Sequence, residues 1–217
     1  MLNRRRKEDE PIALSGFEGI KRYWDAKNSI YSAKILPGEY YVTRNENEAI
    51  VTVLGSCVSV CISDRLHGVG GMNHFMLPQD NSGGGSLGHW HANDASSSTR
   101  YGNFAMEHLI NEILKNGGKR ENLELKVFGG GQIMSDAADI GQRNIAFIND
   151  YINTEALRLV SEDVADIYPR KVMYYPLSGR ARVKKLKSLH NSTVAARENS
   201  YMSSLEQEPE TGEVDLF

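Results

Sequence analysis

Gly55-Ser56-Cys57-Val58-Ser59-Val60-Cys61-Ile62-Ser63, then Asp64-Arg65-Leu66-His67, then Gly68-Val69-Gly70-Gly71-Met72-Asn73-His74-Phe75-Met76-Leu77, is the stretch whose reading decides the fold. Its first part alternates with period two, Val58, Val60 and Ile62 on one face and Cys57, Ser59, Cys61 and Ser63 on the other. That period is the mark of a β-strand. One face is expected in a core, and the other is small and partly polar. If residues 64–67 form the loop of a hairpin, Ser63 lies opposite Gly68 and Cys57 opposite His74. Opposed side chains on one face have Cβ atoms about 4.5–5.5 Å apart, which lets an imidazole reach a sulfur. A free thiol with a pKa near ~8.5 is mostly protonated at neutral pH, and a neighbouring His can take its proton. The same residues also admit an inert buried Cys beside a satisfied His.

Outward from this hairpin the pattern stays rich in strands. Upstream lie Lys34-Ile35-Leu36, a turn at Pro37-Gly38, Glu39-Tyr40-Tyr41-Val42-Thr43, a polar turn at residues 45–48 and a run over 49–54. Downstream, residues 80–98 are Gly- and Ser-rich, either a lid or an insertion. A helix is expected over 99–116, with Phe104, Met106, Leu109, Ile110, Ile113 and Leu114 at helical spacing, and a second over about 141–153 with Ile145, Ile148, Tyr151 and Ile152 on its buried side. Strands are expected at 123–128, 157–162, 170–176 and 180–186, the last two joined at Ser178-Gly179 as a hairpin. This order is neither a regular βαβ alternation nor all-β. The fold class is therefore α+β, helices covering a largely antiparallel sheet system. Residues 1–34 read as an N-terminal extension, packed arm or partly ordered tail, 35–187 as the domain, and 188–217 as a polar, acidic tail kept in solvent by its lack of apolar residues.

Composition narrows the function. The 217 residues are 40% hydrophobic and 24% charged, enough for one ordinary core. Twenty-five basic and 28 acidic residues leave a net charge of −3, so no global positive field recruits nucleic acid or an anionic membrane. The two cysteines, in one strand, would have Cα atoms roughly 13 Å apart, beyond the ~7 Å a disulfide tolerates. The charged N-terminus lacks the apolar centre of a secretory signal, and residues 50–62 fall short of the ~20 that span a membrane. A reducing cytoplasm is the expected location.

The Gly55-Ser56 turn exposes Cys57 and offers N–H groups where an oxyanion would form, so Gly55 and Ser56 are candidates for oxyanion and substrate binding. Cys61 reads as packing. Cys57, Cys61, His67, His74, His89 and His91 are of metal-ligating types, but no pair has zinc-site spacing, and no metal or other cofactor is expected. His67, His89 and His91 are expected in solvent. Gly129-Gly130-Gly131 has neither the Lys-Ser/Thr of a P-loop nor GxGxxG spacing, so a tight turn or close backbone approach beside the active face is its expected use.

Several of these segments together resemble the CheD family of chemoreceptor glutamine deamidases. They are Thr52-Val-Leu-Gly-Ser-Cys57-Val-Ser-Val-Cys61, Gly71-Met-Asn-His74-Phe-Met-Leu-Pro78, Tyr101, Phe128-Gly-Gly-Gly131 with Gln132-Ile-Met134, Ile140-Gly-Gln-Arg-Asn144, Glu162-Asp163 and Gly179-Arg-Ala-Arg-Val183. The resemblance spans about residues 35–186 and includes the upstream Arg22-Tyr-Trp-Asp25. It implies a Cys-His-Thr triad in which Cys57 is the nucleophile, His74 its base and Thr52 the residue orienting the imidazole. It also implies a β-sandwich core flanked by helices, similar to glutamine-deamidating toxins. The implied activity is hydrolysis of glutamine side chains on the cytoplasmic helices of methyl-accepting chemotaxis receptors, with ester hydrolysis as a minor activity and a CheC-like phosphatase as a further partner. A non-catalytic adaptor for the same partners is the alternative. One departure is Val164-Ala165-Asp166, where some members carry Thr-Gly-Gly. The terminal Val214-Asp215-Leu216-Phe217 is a candidate docking segment.

Overall fold

The computed structural model describes residues 10–78, 97–133, 140–187 and 192–207. Their strands are β1 (Lys21–Asp25), β2 (Ile30–Lys34), β3 (Tyr40–Thr43), β4 (Glu48–Leu54), β5 (Val58–Asp64), β6 (Val69–Asn73), β7 (Glu124–Gly129), β8 (Arg158–Val164), β9 (Arg170–Tyr175) and β10 (Arg180–Lys185). They form two five-stranded sheets, β1-β2-β4-β9-β10 and β3-β6-β5-β7-β8. Helices α1 (Ser97–Lys115) and α2 (Ile140–Thr154) pack on the second sheet, α1 on β6 and β3, α2 on β5 and β8. The α+β class with mixed sheets is as expected. Most neighbours are antiparallel, but β2 pairs with β4 and β7 with β8 in parallel.

Every residue of β5 is buried, so its small face is not a polar surface. A side chain on Gly71, which is opposite Ile62, would run into Leu109 of α1, while one on Gly70, opposite Ser63, would meet Pro176 beyond β9. Ile62 thus faces the helices and Ser63 the other sheet, where Tyr174 of β9 bonds to it and lies near Cys61. The small side chains let the two sheets approach, the ordinary solution for the inner layer of a sandwich.

The hairpin register differs from the expected one. Cys61 pairs with Met72, Ile62 with Gly71 and Asp64 with Val69, so the turn is Arg65–Gly68 and every pair moves by two residues. Asp64 moves the turn: its carboxylate accepts the N–H groups of Leu66 and His67, both at 3.0 Å, and the His67 ring at 2.7 Å. An Asx-type turn of this kind begins at the aspartate itself. His67 is consequently hydrogen-bonded to Asp64 and only partly exposed. A slip of two keeps each side chain on its face, so His74 stays on the side of Cys57 as a diagonal neighbour.

Both ends of the chain are more integrated than expected. β1 and β2 are a hairpin within the first sheet, closed by Asp25, which caps the N–H groups of Lys27 and Asn28. Arg22 reaches the buried Glu48, whose carboxylate also accepts bonds from Tyr41 and Thr43. No separate extension therefore ends at residue 34. Likewise, residues 192–207 are not solvated tail but a helix, α3 (Ser192–Gln207), that buries Val194, Glu198 and Met202 at four-residue intervals. The middle of that stripe is an acid, so hydropathy alone does not reveal it. Residues 79–96, with His89, His91 and most of the Gly/Ser-rich stretch, and the terminal acidic segment lie outside the described residues. On α1, Phe104 is exposed and stacks on His108 instead of entering the core.

Candidate active site

Cys57 sits in the turn between β4 and β5, one residue before the strand. Three carbonyls of this turn are tied down from behind. Gly131 N–H donates to Gly55 at 2.7 Å, Gly130 N–H to Cys57 at 2.8 Å, and the Asn144 amide to Ser56 at 2.9 Å. Asn144 is buried on α2 and also accepts the Leu77 N–H at 2.9 Å, so it links the turn to the strand continuing from His74. In a trans peptide the C=O and the following N–H point in opposite directions. Fixing Gly55 and Ser56 by their oxygens therefore aims the N–H groups of Ser56 and Cys57 forward. The triple glycine fills the role expected of it: Gly129 has φ +114°, and a Cβ there would collide with the Cys57 oxygen. Only glycine permits both.

His74 is placed by a break in the β5–β6 ladder. The side-chain oxygen of Asn73 accepts the Val60 N–H at 2.8 Å, where a backbone carbonyl would ordinarily do so, while the Asn73 carbonyl accepts the Ser59 hydroxyl. The chain then swings to the Gly38-Glu39 turn, where His74 N–H donates to Glu39 at 2.9 Å and its carbonyl accepts from Gly38 at 2.7 Å. Its Nδ1 lies 2.7 Å from the Thr52 hydroxyl. Thr52 has one proton, which it donates to the Ile35 carbonyl at 2.8 Å. Thr52 must accept from Nδ1–H, which assigns the tautomer and leaves Nε2 with a lone pair. Nε2 has no hydrogen-bond partner among the described residues. Burial, and secondarily the charge of Arg197, lowers the His74 pKa to about 3, so the ring is neutral.

Glu198, absent from the candidates drawn from sequence, completes the site. Its Oε1 accepts the N–H groups of Gly55 at 2.8 Å and Cys57 at 3.3 Å, and its Oε2 the N–H of Ser56 at 2.8 Å and the Ser56 hydroxyl at 2.6 Å. Burying a carboxylate costs several kcal/mol, and hydrogen bonds to a charged group contribute about 1.5–3 kcal/mol each, so four offset it. Donor atoms of Cys57, His74 and Glu198 lie within 4.8 Å of one another, close enough to hold a cation. The four N–H and O–H groups converging on Glu198 are instead the surroundings of an anion. Burial pushes the Cys57 thiol far up, and the charge and hydrogen bond of Glu198 push it further. Beside His74 and Thr52 opens a pocket of about 390 Å³ that Lys21, Lys34, Lys171 and Arg197 also line.

A family model described as CheD chemotactic sensory transduction matches residues 76–185. Relatives named probable chemoreceptor glutamine deamidase CheD extend the likeness over the site. That of Halorhodospira halophila is 54% identical over 95% of this chain and 94% of its own length. Those of Hahella chejuensis and Hydrogenovibrio crunogenus are 48% and 51% identical, over 95% and 89% of this chain and 95% and 97% of theirs. The chain belongs to the CheD family. Among solved structures, a Neisseria meningitidis DUF152 protein overlaps at a TM-score of 0.35 with 10% identity, covering 58% of this chain and 53% of that one, too slight a likeness to use.

In this CheD-family chain Cys57, His74, Thr52, Ser56 and Gly55 meet in one place. Gly55 and Ser56 contribute through their N–H groups, and Ser56 through its hydroxyl as well. Cys61 lies away from it, on the Tyr174 side of the inter-sheet layer. Asn144 closes one of the family-like motifs, and its role needed only the question of what ties down the turn. Nothing local marked Glu198. Val164-Ala165-Asp166 supports the site from outside: the Ala165 N–H donates to Gly129 at 2.9 Å and the Asp166 carbonyl accepts from Gln132 at 2.7 Å. Ala165 and Asp166 have φ of 61° and 75°, which glycine adopts without strain. The buried Arg170 clamps this bend through Asp163 and the Ala165 carbonyl.

Proposed function

We propose that this chain hydrolyses the side-chain carboxamide of glutamine on chemoreceptors, in the cytoplasm, with Cys57 as nucleophile. His74 Nε2 takes the thiol proton, and Thr52 holds the ring with Nδ1–H turned away. Sulfur bonds to the carboxamide carbon, and the N–H groups of Gly55, Ser56 and Cys57 receive the oxyanion. His74 passes the proton to the departing nitrogen, the C–N bond breaks, and ammonia leaves. Water, giving its proton to His74, then cleaves the thioester to glutamate and free thiol. The observation that carries the reading is the convergence of these N–H groups on one carboxylate beside Cys57, with a His of assigned tautomer next to it. The names of the relatives supply the substrate, and the cations around the adjoining pocket suit an acidic receptor helix.

The test is to incubate the protein with a receptor cytoplasmic fragment and examine its peptides by mass spectrometry. Glutamines that become about 1 Da heavier, with ammonia released, support the reading. Binding without conversion favours the adaptor alternative. A methyl-esterified fragment added in parallel reports ester hydrolysis through methanol. A CheC-like phosphatase is the second partner we propose on family membership, and its addition to the same assay would alter the rate.

A further inference from the structure

Glu198 stands where the reaction's product would stand. It is a glutamate, its carboxylate fills the N–H cradle beside Cys57, and it is delivered by a helix. The docking of α3 is built along its length. Val194 and Met202 are buried one turn to either side of Glu198. Tyr201 bonds through its hydroxyl to Tyr101 of α1, and a Cβ on Gly38 would meet that hydroxyl at 2.8 Å. We propose that α3 is a tethered product analogue that closes this active site, and that other substrates are turned over only when α3 lifts away. The groove it vacates fits a second helix carrying glutamine at the position of Glu198 with apolar residues four before and four after. The inference rests on the glutamine-hydrolase reading and adds the regulation of the same site.

The arrangement also makes the chain a substrate of itself when residue 198 is glutamine. In Glu198→Gln, Cys57 sulfur attacks the carboxamide carbon of residue 198, His74 delivers the thiol proton to the nitrogen, and the C–N bond breaks with loss of ammonia. Water then cleaves the C–S bond, restoring the thiol and leaving glutamate. No oxidant or cofactor enters the balance.

The test uses the full chain. Glu198→Gln should be isolated with residue 198 about 1 Da heavier than encoded, whereas the same substitution combined with Cys57→Ala should keep its glutamine. Independently, Cys57 should react with iodoacetamide at least about tenfold faster in Glu198→Ala and in Met202→Asp than in the wild type, with Cys61 unreactive throughout. Met202→Asp loosens α3 without touching the N–H cradle. Equal Cys57 alkylation in all three proteins overturns the closure. Glutamine left intact at residue 198 of the Glu198→Gln protein, when that same protein converts a receptor fragment, overturns the product-like placement. Faster alkylation in Glu198→Ala with no conversion of any receptor glutamine leaves the closure standing and removes the glutamine-hydrolase reading instead.

Discussion

Cys57 and Cys61 are four residues apart, and both are free and fully buried, with thiols that burial pushes far above their ordinary range. Burial and residue type therefore do not distinguish them. Their neighbours do. Cys61 lies within β5, paired with Met72 on one side and Lys126 on the other, where each backbone group is engaged in the ladder. Cys57 precedes the strand, in a turn whose carbonyls are held from behind, with its N–H group and those of the two preceding residues outside the ladder. The reactivity proposed for Cys57 lies where the sheet's hydrogen bonding stops, because there the backbone N–H groups are free of the ladder and can turn to a carboxylate, Glu198 in this structure.

The comparison breaks most directly with paired substitutions. Cys57→Ala should lower ammonia release by at least about 10³-fold, and Cys61→Ala by less than about tenfold with about 1 kcal/mol lost in urea unfolding. Equal losses of activity would erase the distinction. Next, Thr52→Val removes the acceptor for Nδ1–H and should reduce kcat by roughly 10- to 100-fold, with a shifted pH profile that Thr52→Ser restores. A loss confined to KM would contradict a positioning role.

The surroundings of Cys57 also titrate. Unfolded, His74 has a pKa near ~6.5, and folded it is lowered to about 3. As pH falls below ~6.5 the unfolded chain binds a proton that the folded one refuses, so this stability is complete above ~6.5 and lost towards about 3. At pH 5 the loss is about 2 kcal/mol, readable as a drop in urea midpoint that a His74→Gln variant should not share. The smallest effect expected is in Ala165→Gly. Relief of a left-handed φ is worth about 1–2 kcal/mol, against about 0.5–1 kcal/mol of added chain entropy. A net gain of about 0.5 kcal/mol should appear in thermal unfolding, acting on the Cys57 side through Gly129.

Much of the fold is legible in the sequence. Alternation marked β5, helical spacing marked α1 and α2 within two residues of their ends, and the Ser178-Gly179 hairpin joins β9 to β10. Cys57 and His74 can be paired because the strand period keeps both on one face even when the loop lies one residue further along and the register moves by two. Strands β1 and β2 are not legible in this way, and the strand expected at residues 34–36 is instead β2, which ends at Lys34: the residues of β1 are half polar, Lys21 and Arg22 among them, and the two strands are completed only by each other, β4 and Glu48.

What sequence alone determined is therefore what depends on neighbours a few residues away: the strands and helices, the small face of β5, and a thiol and an imidazole on one side of a hairpin. Tertiary structure decided the rest. Asp64 chose the register, the distant Gly129-Gly130-Gly131 and Asn144 turned the N–H groups forward, and Thr52 selected the His74 tautomer by giving its only proton to Ile35. Above all, it brought Glu198 to Ser56 across 142 residues of chain. An acid in an otherwise polar segment looks like solvent-facing charge until the fold supplies the buried donors that make its burial favourable.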